Sequence, residues 1–181
     1  MLFEPTVIEG MWKIRIERQT DERGSFGRIF CEDIFRERGL TARFLQISSS
    51  RTIKKGTIRG MHLQRSPSSE VKLVQCISGA IHDVVCDVRV NSPTYLAKAE
   101  IVLEESDDVL LYIPEGCLHG YQTLRPDSEV YYSISARYDP ASACGVRYDD
   151  PTFDIKWPLT PVCLSDRDLS FPNYTNNFFG D

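Results

Sequence analysis

The sequence lacks most of what would mark a metal enzyme, a phosphate-loop protein or a membrane protein. It has only three histidines, His62, His82 and His119, with no His-x-His or His-x-x-x-His pair. A metal site would have to be assembled from distant single residues, and none is expected. There is no P-loop, no glycine-rich fingerprint after a strand and no serine elbow, so the chemistries those motifs carry are not expected either. No apolar run approaches membrane-spanning length. Residues 1–10 include Glu4 and Glu9 and no apolar stretch, so no secretory leader is expected. Basic residues are not in excess: 21 Lys and Arg against 26 Asp and Glu give a net charge of −5, which argues against a nucleic-acid partner. The six cysteines, Cys31, Cys76, Cys86, Cys117, Cys144 and Cys163, form no CxxC pair. Several lie in apolar runs and read as buried reduced thiols, which places the protein in the cytoplasm.

What is present is a soluble composition, 41% hydrophobic and 26% charged, in 181 residues. That is one expected domain over residues 1–181, large enough to bury a core. Trp12, Ile14 and Ile16 alternate with Lys13, Arg15 and Glu17, a half-buried strand over 12–18. A turn at Asp21–Gly24 precedes a strand over 25–30. One short helix is expected over 32–38, with Gly39 just past its end. Strands are then expected near 43–50, 56–63, 71–77, 80–88, 97–103, 109–113, 119–124, 129–136 and 145–148. Turn signals such as Ser78-Gly79, Asn91-Ser92-Pro93 and Arg125-Pro126-Asp127 separate them. Regular short strands with such breaks predict an all-β sandwich or barrel. Beyond Asp150-Pro151 the chain is rich in proline and aromatics and is expected to wrap the domain as ordered coil.

The ionisable residues are concentrated where a sheet core should be apolar. His62 lies in Thr57-Ile58-Arg59-Gly60-Met61-His62-Leu63-Gln64. Strict alternation sends Arg59 and His62 to opposite faces. A bulge at Gly60 would bring them to one side. Lys72, in Val71-Lys72-Leu73-Val74, reads either as an edge lysine reaching water or as a cation facing a developing oxyanion. Asp83 and Asp87 share a strand face and must pair or do chemistry, with Arg89 the nearby partner for Asp87. His119 follows Pro114 and Gly116 at the mouth of a strand and reads as either a site residue or a solvent-facing turn histidine. Tyr131 and Tyr132 must face opposite ways, and periodicity alone does not say which faces in. Tyr138 shares the parity of Tyr132. Together His62 and Lys72 predict a general base and a cationic partner for one small substrate.

These residues sit in a longer series: Asp21-x-Arg23-Gly24-x-Phe26; Arg59-Gly60-Met61-His62-Leu63-Gln64; Lys72-Leu73-Val74; Gly79; Asp83-Val84; Asp87-Val88-Arg89; Ser92-Pro93-Thr94; Ile113-Pro114-x-Gly116-x-x-His119-Gly120; Tyr132; Tyr138-x-Pro140; Asp150-Pro151; Ile155-x-Trp157-Pro158; and Leu164-Ser165-x-x-Asp168. In this order and spacing the series resembles the dTDP-4-dehydrorhamnose 3,5-epimerase family, metal-free cupin enzymes acting on nucleotide sugars, from Asp21 to about Pro172. The resemblance implies a cupin-type jelly-roll β-barrel with one or two short peripheral helices. It implies a homodimer in which strands near the N-terminus cross to the partner, and no cofactor. It implies a nucleotide-diphospho-4-keto-6-deoxyhexose substrate whose protons α to the C4 ketone are acidic because the enolate is resonance-stabilised.

By the same resemblance His62 is the general base, Asp168 orients it, Lys72 stabilises the enolate oxygen and Tyr132 returns a proton on the opposite face. Asp83 and His119 line the pocket, with Asp83 a candidate partner for Lys72. Arg23 and Arg59 are diphosphate contacts, and Phe26 and Tyr138 are aromatic contacts to base or sugar. Two departures fall at the nucleotide end. Arg28 stands where the family usually has a glutamate that reads the base, and Gln46-Ile47-Ser48-Ser49-Ser50 lacks the family's asparagine. A cytidine or guanosine carrier therefore stays open, as does inversion at one centre rather than two. A non-catalytic sugar-nucleotide-binding cupin is disfavoured, because binding alone needs no acid and base on opposite faces.

Overall fold

A computed structural model of the chain describes residues 1–176 and Phe178. The expected domain over 1–181 thus includes residues 177 and 179–181, which lie outside the described ones. The elements run β1 (Leu2–Pro5), β2 (Trp12–Arg15), β3 (Arg18–Asp21), β4 (Gly24–Gly27), α1 (Glu32–Glu37), β5 (Gln46–Thr52), β6 (Ile58–Gln64), β7 (Lys72–Ser78), β8 (Ala80–Asp87), β9 (Lys98–Glu104), β10 (Val109–Ile113), β11 (Cys117–Thr123), β12 (Ser128–Ile134), β13 (Ala143–Gly145) and α2 (Asp166–Ser170). No described helix is long and apolar enough to cross a membrane.

Two antiparallel sheets face each other in the all-β jelly-roll arrangement. One has the order β1-β2-β10-β7-β12-β5 and the other β13-β6-β11-β8-β9. The expected barrel is thus a pair of stacked sheets. A separate hairpin, β3–β4, forms its own two-stranded sheet among the described residues. The expected strand over 12–18 is divided here: β2 ends at Arg15, and Arg18 begins the hairpin.

The central strands β8, β10 and β11 are buried on both faces, which is why they read as nearly continuous apolar runs. The inner layer joins Val74, Leu111 and Val130 of one sheet to Ile81, Leu103 and Tyr121 of the other. On the outer face of the six-stranded sheet, Leu73, Leu110 and Tyr112 pack under Phe35 of α1. On the outer face of the five-stranded sheet, Met61, Val84 and Leu118 pack under Phe153, Ile155 and Tyr174 of the C-terminal coil. That coil wraps the domain as its composition predicts.

α1 ends where expected, with Arg38 as its C-cap and Gly39 at φ +68°, the left-handed conformation glycine adopts without penalty. Asp87 is fully buried at the end of β8. It accepts hydrogen bonds from Arg89 Nε at 2.8 Å, Ser92 Oγ at 2.6 Å and Thr94 Oγ1 at 2.7 Å. Burial works to raise its carboxyl, but these donors outweigh that and hold it below its ordinary value. The Asp87–Arg89 pairing is the one expected, and it ties down the β8–β9 connection.

Candidate active site

The site begins with an irregularity in β6. Across the β6–β11 ladder, His62 pairs with His119 and Arg59 with Tyr121. Three steps along β6 therefore match two along β11, which is a bulge over Gly60-Met61. Residues directly opposite in a ladder share a face, so Arg59 and His62 both point inward, as the expected bulge requires. Gly60 has φ +141°, and a Cβ placed on it would lie 2.5 Å from Gly120 Cα. Two glycines are needed for the strands to approach this closely.

Arg59 and His62 open into a cavity of about 630 Å³ between the sheets. His62 Nε2 lies 2.6 Å from Asp168 Oδ1. A carboxylate can only accept there, so in neutral His62 Nε2 carries the proton and Nδ1 keeps the lone pair. Burial works to raise the Asp168 carboxyl, but the His62 hydrogen bond and charge and the Gly60 amide hold it below its ordinary value. Asp168 is placed by α2, whose N-cap Ser165 accepts from the Asp168 amide at 3.1 Å. The Ser165-x-x-Asp168 spacing signals a helix start that a search for helical periodicity passes over in a helix of five residues.

Lys72 enters the cavity from β7 on the opposite sheet. Its Nζ lies 3.1 Å from Glu70 Oε1, and both side chains are only 10% exposed. It also donates to the His62 carbonyl at 3.4 Å. Lys72 is therefore a buried, paired cation, and the reading of an edge lysine reaching water does not hold. Asp83 is not its partner. Asp83 is fully buried and lies 2.8 Å through Oδ2 from His119 Nε2. Period 2 places Asp83 and Lys72 on inner faces of different sheets but says nothing of which cation is near. His119 is likewise no turn histidine: it is buried within β11 and lines the cavity. The third histidine, His82, pairs with Glu100 on the outer face.

Of the tyrosine pair, Tyr132 faces inward and Tyr131 is 44% exposed. Burial, then the Tyr121 and Asp83 charges, push the Tyr132 phenol well above its ordinary range, so it is a protonated donor at neutral pH. Its ring meets His119 edge-on at 6.1 Å. Gln46 and Tyr138 also line the cavity, and Gln46 Oε1 accepts from the Tyr138 amide at 2.7 Å. The arrangement can take a proton from a carbon held between the sheets, stabilise negative charge on an oxygen beside Lys72, and return a proton from the Tyr132 side.

Asp83, expected to line the pocket with His119, does not reach it, and three further predicted contacts are elsewhere. Arg23 and Phe26 lie on the β3–β4 hairpin, and Arg28 just beyond it; none lines the cavity. Phe26 is 74% exposed, and the Arg23 side chain, paired with Asp21, is 85% exposed. In turn, two cavity residues were legible but not singled out. Glu70 precedes Lys72 by two and so shares its face, and Tyr121 follows His119 by two and shares its face.

Comparison with known proteins gives a consistent result. The family model for dTDP-4-dehydrorhamnose 3,5-epimerase matches residues 5–176. A protein of that description from Sinorhizobium fredii is 36% identical over 174 residues, covering 96% of this chain and 89% of its own. A dTDP-4-dehydrorhamnose 3-epimerase from Streptomyces niveus is 37% identical, covering 93% of this chain and 81% of its own. A solved dTDP-6-deoxy-D-glucose-3,5-epimerase from Legionella pneumophila, in complex with dTDP-4-keto-L-rhamnose, superposes with a TM-score of 0.87 at 32% identity, covering 96% of this chain and 98% of that one.

Proposed function

Because the chain belongs to the dTDP-4-dehydrorhamnose 3,5-epimerase family of isomerases, we propose that it inverts C3 and C5 of a dTDP-linked 4-keto-6-deoxyhexose in deoxysugar biosynthesis. His62 Nδ1 removes the proton α to the C4 ketone, with Asp168 holding the tautomer and carrying the imidazolium. The Lys72 ammonium faces the enolate oxygen, where positive charge lowers the energy of the transition state more than that of the ketone. Tyr132 then protonates the carbon from the other side, and the centre inverts. The observation that carries this reading is the placement of His62 and Tyr132 on facing sheets across one cavity. A base and an acid on the same sheet would return the proton to the face it left.

The test is solvent exchange followed by NMR. The protein is incubated in D₂O with 4-keto-6-deoxyglucose carried on dTDP, CDP and GDP in turn. Deuterium is expected at both C3 and C5 with the dTDP sugar. Deuterium at one carbon would replace the reading with single-centre epimerisation, for which the Streptomyces niveus relative is a precedent. A preference for CDP or GDP would move the base reading to the pocket that Arg28 alters. No exchange with any carrier would leave a binding protein.

We also propose that the chain is one domain working as a homodimer in which the β3–β4 hairpin supplies Arg23, Phe26 and Arg28 to the partner's cavity. The hairpin's isolation from its own sheets and the exposure of Phe26 support this. Mixing His62→Ala with an Arg23→Ala/Phe26→Ala variant is expected to recover about a quarter of wild-type activity. Random pairing makes half the dimers mixed, each with one intact site. If the hairpin serves its own cavity, mixing recovers nothing.

A further inference from the structure

Resting on the reading of Tyr132 as the acid, we propose that Tyr121 is the residue that reprotonates Tyr132 while the sugar is still bound. Tyr121 acts through Tyr132 and is not itself in contact with the reacting carbon.

The need arises from the stoichiometry of the reaction. Each inversion breaks the Tyr132 O–H bond and forms a C–H bond, leaving a tyrosinate. A second inversion on the same bound sugar requires that proton back. The sugar then occupies the cavity in front of Tyr132, so the new proton must come from a neighbouring protein group rather than from water in the cavity.

Tyr121 is in the right place to provide it. It stands on β11, facing Tyr132 across the sheets, and both rings pack against the same inner core. Its ring is 1% exposed, yet its hydroxyl lies 3.0 Å from Ser50 Oγ and 3.3 Å from Thr52 Oγ1. Both hydroxyls belong to β5, the edge strand of the sheet that holds Tyr132, and Ser50 is half-buried. Tyr121 lines the cavity but Ser50 and Thr52 do not, so the row of hydroxyls leads from the phenol away from the sugar's place toward the edge strand. A packing role alone would be served equally by phenylalanine. The other polar ring beside Tyr132 is His119, whose Nε2 is already engaged by Asp83. The upward displacement of the Tyr132 phenol, to which Tyr121 contributes, fits a tyrosinate that takes a proton from the Tyr121 hydroxyl.

The protons balance. Tyr132 gives its proton to carbon. Tyr121 gives its proton to the Tyr132 oxygen and regains one from solvent through Ser50 or Thr52. His62 releases the abstracted proton to solvent, and the net count is zero.

The test is a single-turnover experiment in D₂O with enzyme in excess over dTDP-4-keto-6-deoxyglucose, following deuterium at each carbon. Tyr121→Phe is expected to leave the first deuteration at the wild-type rate, because Tyr132 begins protonated. It is expected to slow the second by about tenfold or more. If wild type deuterates only one carbon, Tyr132 needs no proton while the sugar is bound and the proposal is overturned. Equal slowing of both phases, or of neither, would overturn the proposal, since distorted packing acts on both alike. If Tyr121→Phe does not fold, Ser50→Ala/Thr52→Val removes the outlet of the same proton and reads the same split. Tyr132→Phe separates the two levels. Wild-type inversion by Tyr132→Phe would refute Tyr132 as the acid, whereas loss there beside an unchanged Tyr121→Phe would refute only Tyr121's part.

Discussion

His62→Ala is expected to lower proton exchange at the sugar by about 10⁴-fold, the upper end of what a positioned general base contributes. The stability change should be small by comparison. The His62 side chain is 38% exposed, so its removal leaves little cavity. The Asp168 carboxylate it abandons keeps the Gly60 amide near Oδ2 at 3.5 Å. One lost charged hydrogen bond there costs about 1.5–3 kcal/mol. Deuterium incorporation by NMR and a thermal unfolding curve on the same sample check both halves. Exchange at the wild-type rate in a folded variant would remove His62 from the base role. Loss of folding would mean that the His62–Asp168 bond is a structural tie first.

Gly60→Ala is expected to be among the most damaging glycine-to-alanine changes in the described chain. The added Cβ would meet Gly120 Cα at 2.5 Å and the His119 carbonyl at 3.2 Å, both of them backbone atoms that no rotamer change can move. Its φ of +141° adds a conformation closed to L-residues. A cost of about 4 kcal/mol or more is expected, with activity falling further because the bulge is what turns Arg59 and His62 to one side. Gly24→Ala is the control. Its φ of +127° is similar, but nothing lies within 4 Å of the new methyl. It should cost only the conformational part, about 1–2 kcal/mol. Urea unfolding of the pair separates strain from collision. If the two variants lose the same stability, close approach to Gly120 is not what Gly60 provides.

Local signals carried the sheet scaffold well. β10 falls on residues 109–113 as predicted, and most other strands differ from expectation by one to three residues. The reason is that alternation between inner and outer faces is written into each strand separately. β1 is not legible because Leu2-Phe3-Glu4-Pro5 shows no alternation of apolar and polar residues. The inward turn of Tyr132 needed the neighbouring layers, since alternation fixes relative but not absolute facing. Pairings across the cavity were the least legible. Asp83 with His119, and Glu70 with Lys72, depend on how two sheets are stacked, which no single strand records. Arg23 and Phe26 show the same limit: a motif names a residue without saying whose cavity it enters.

The separation of His62 from Asp168 by 106 residues also has a consequence during synthesis. A chain emerging from the ribosome N-terminus first can pair all the strands of both sheets before Asp168 has emerged. In that interval His62 lacks the carboxylate that selects its tautomer, and the cavity lacks the α2 side of its wall. A nascent or truncated chain can therefore be nearly folded and chemically silent. Proton abstraction begins only when the last helix docks, so activity reports completion of the chain and not merely formation of its sheets.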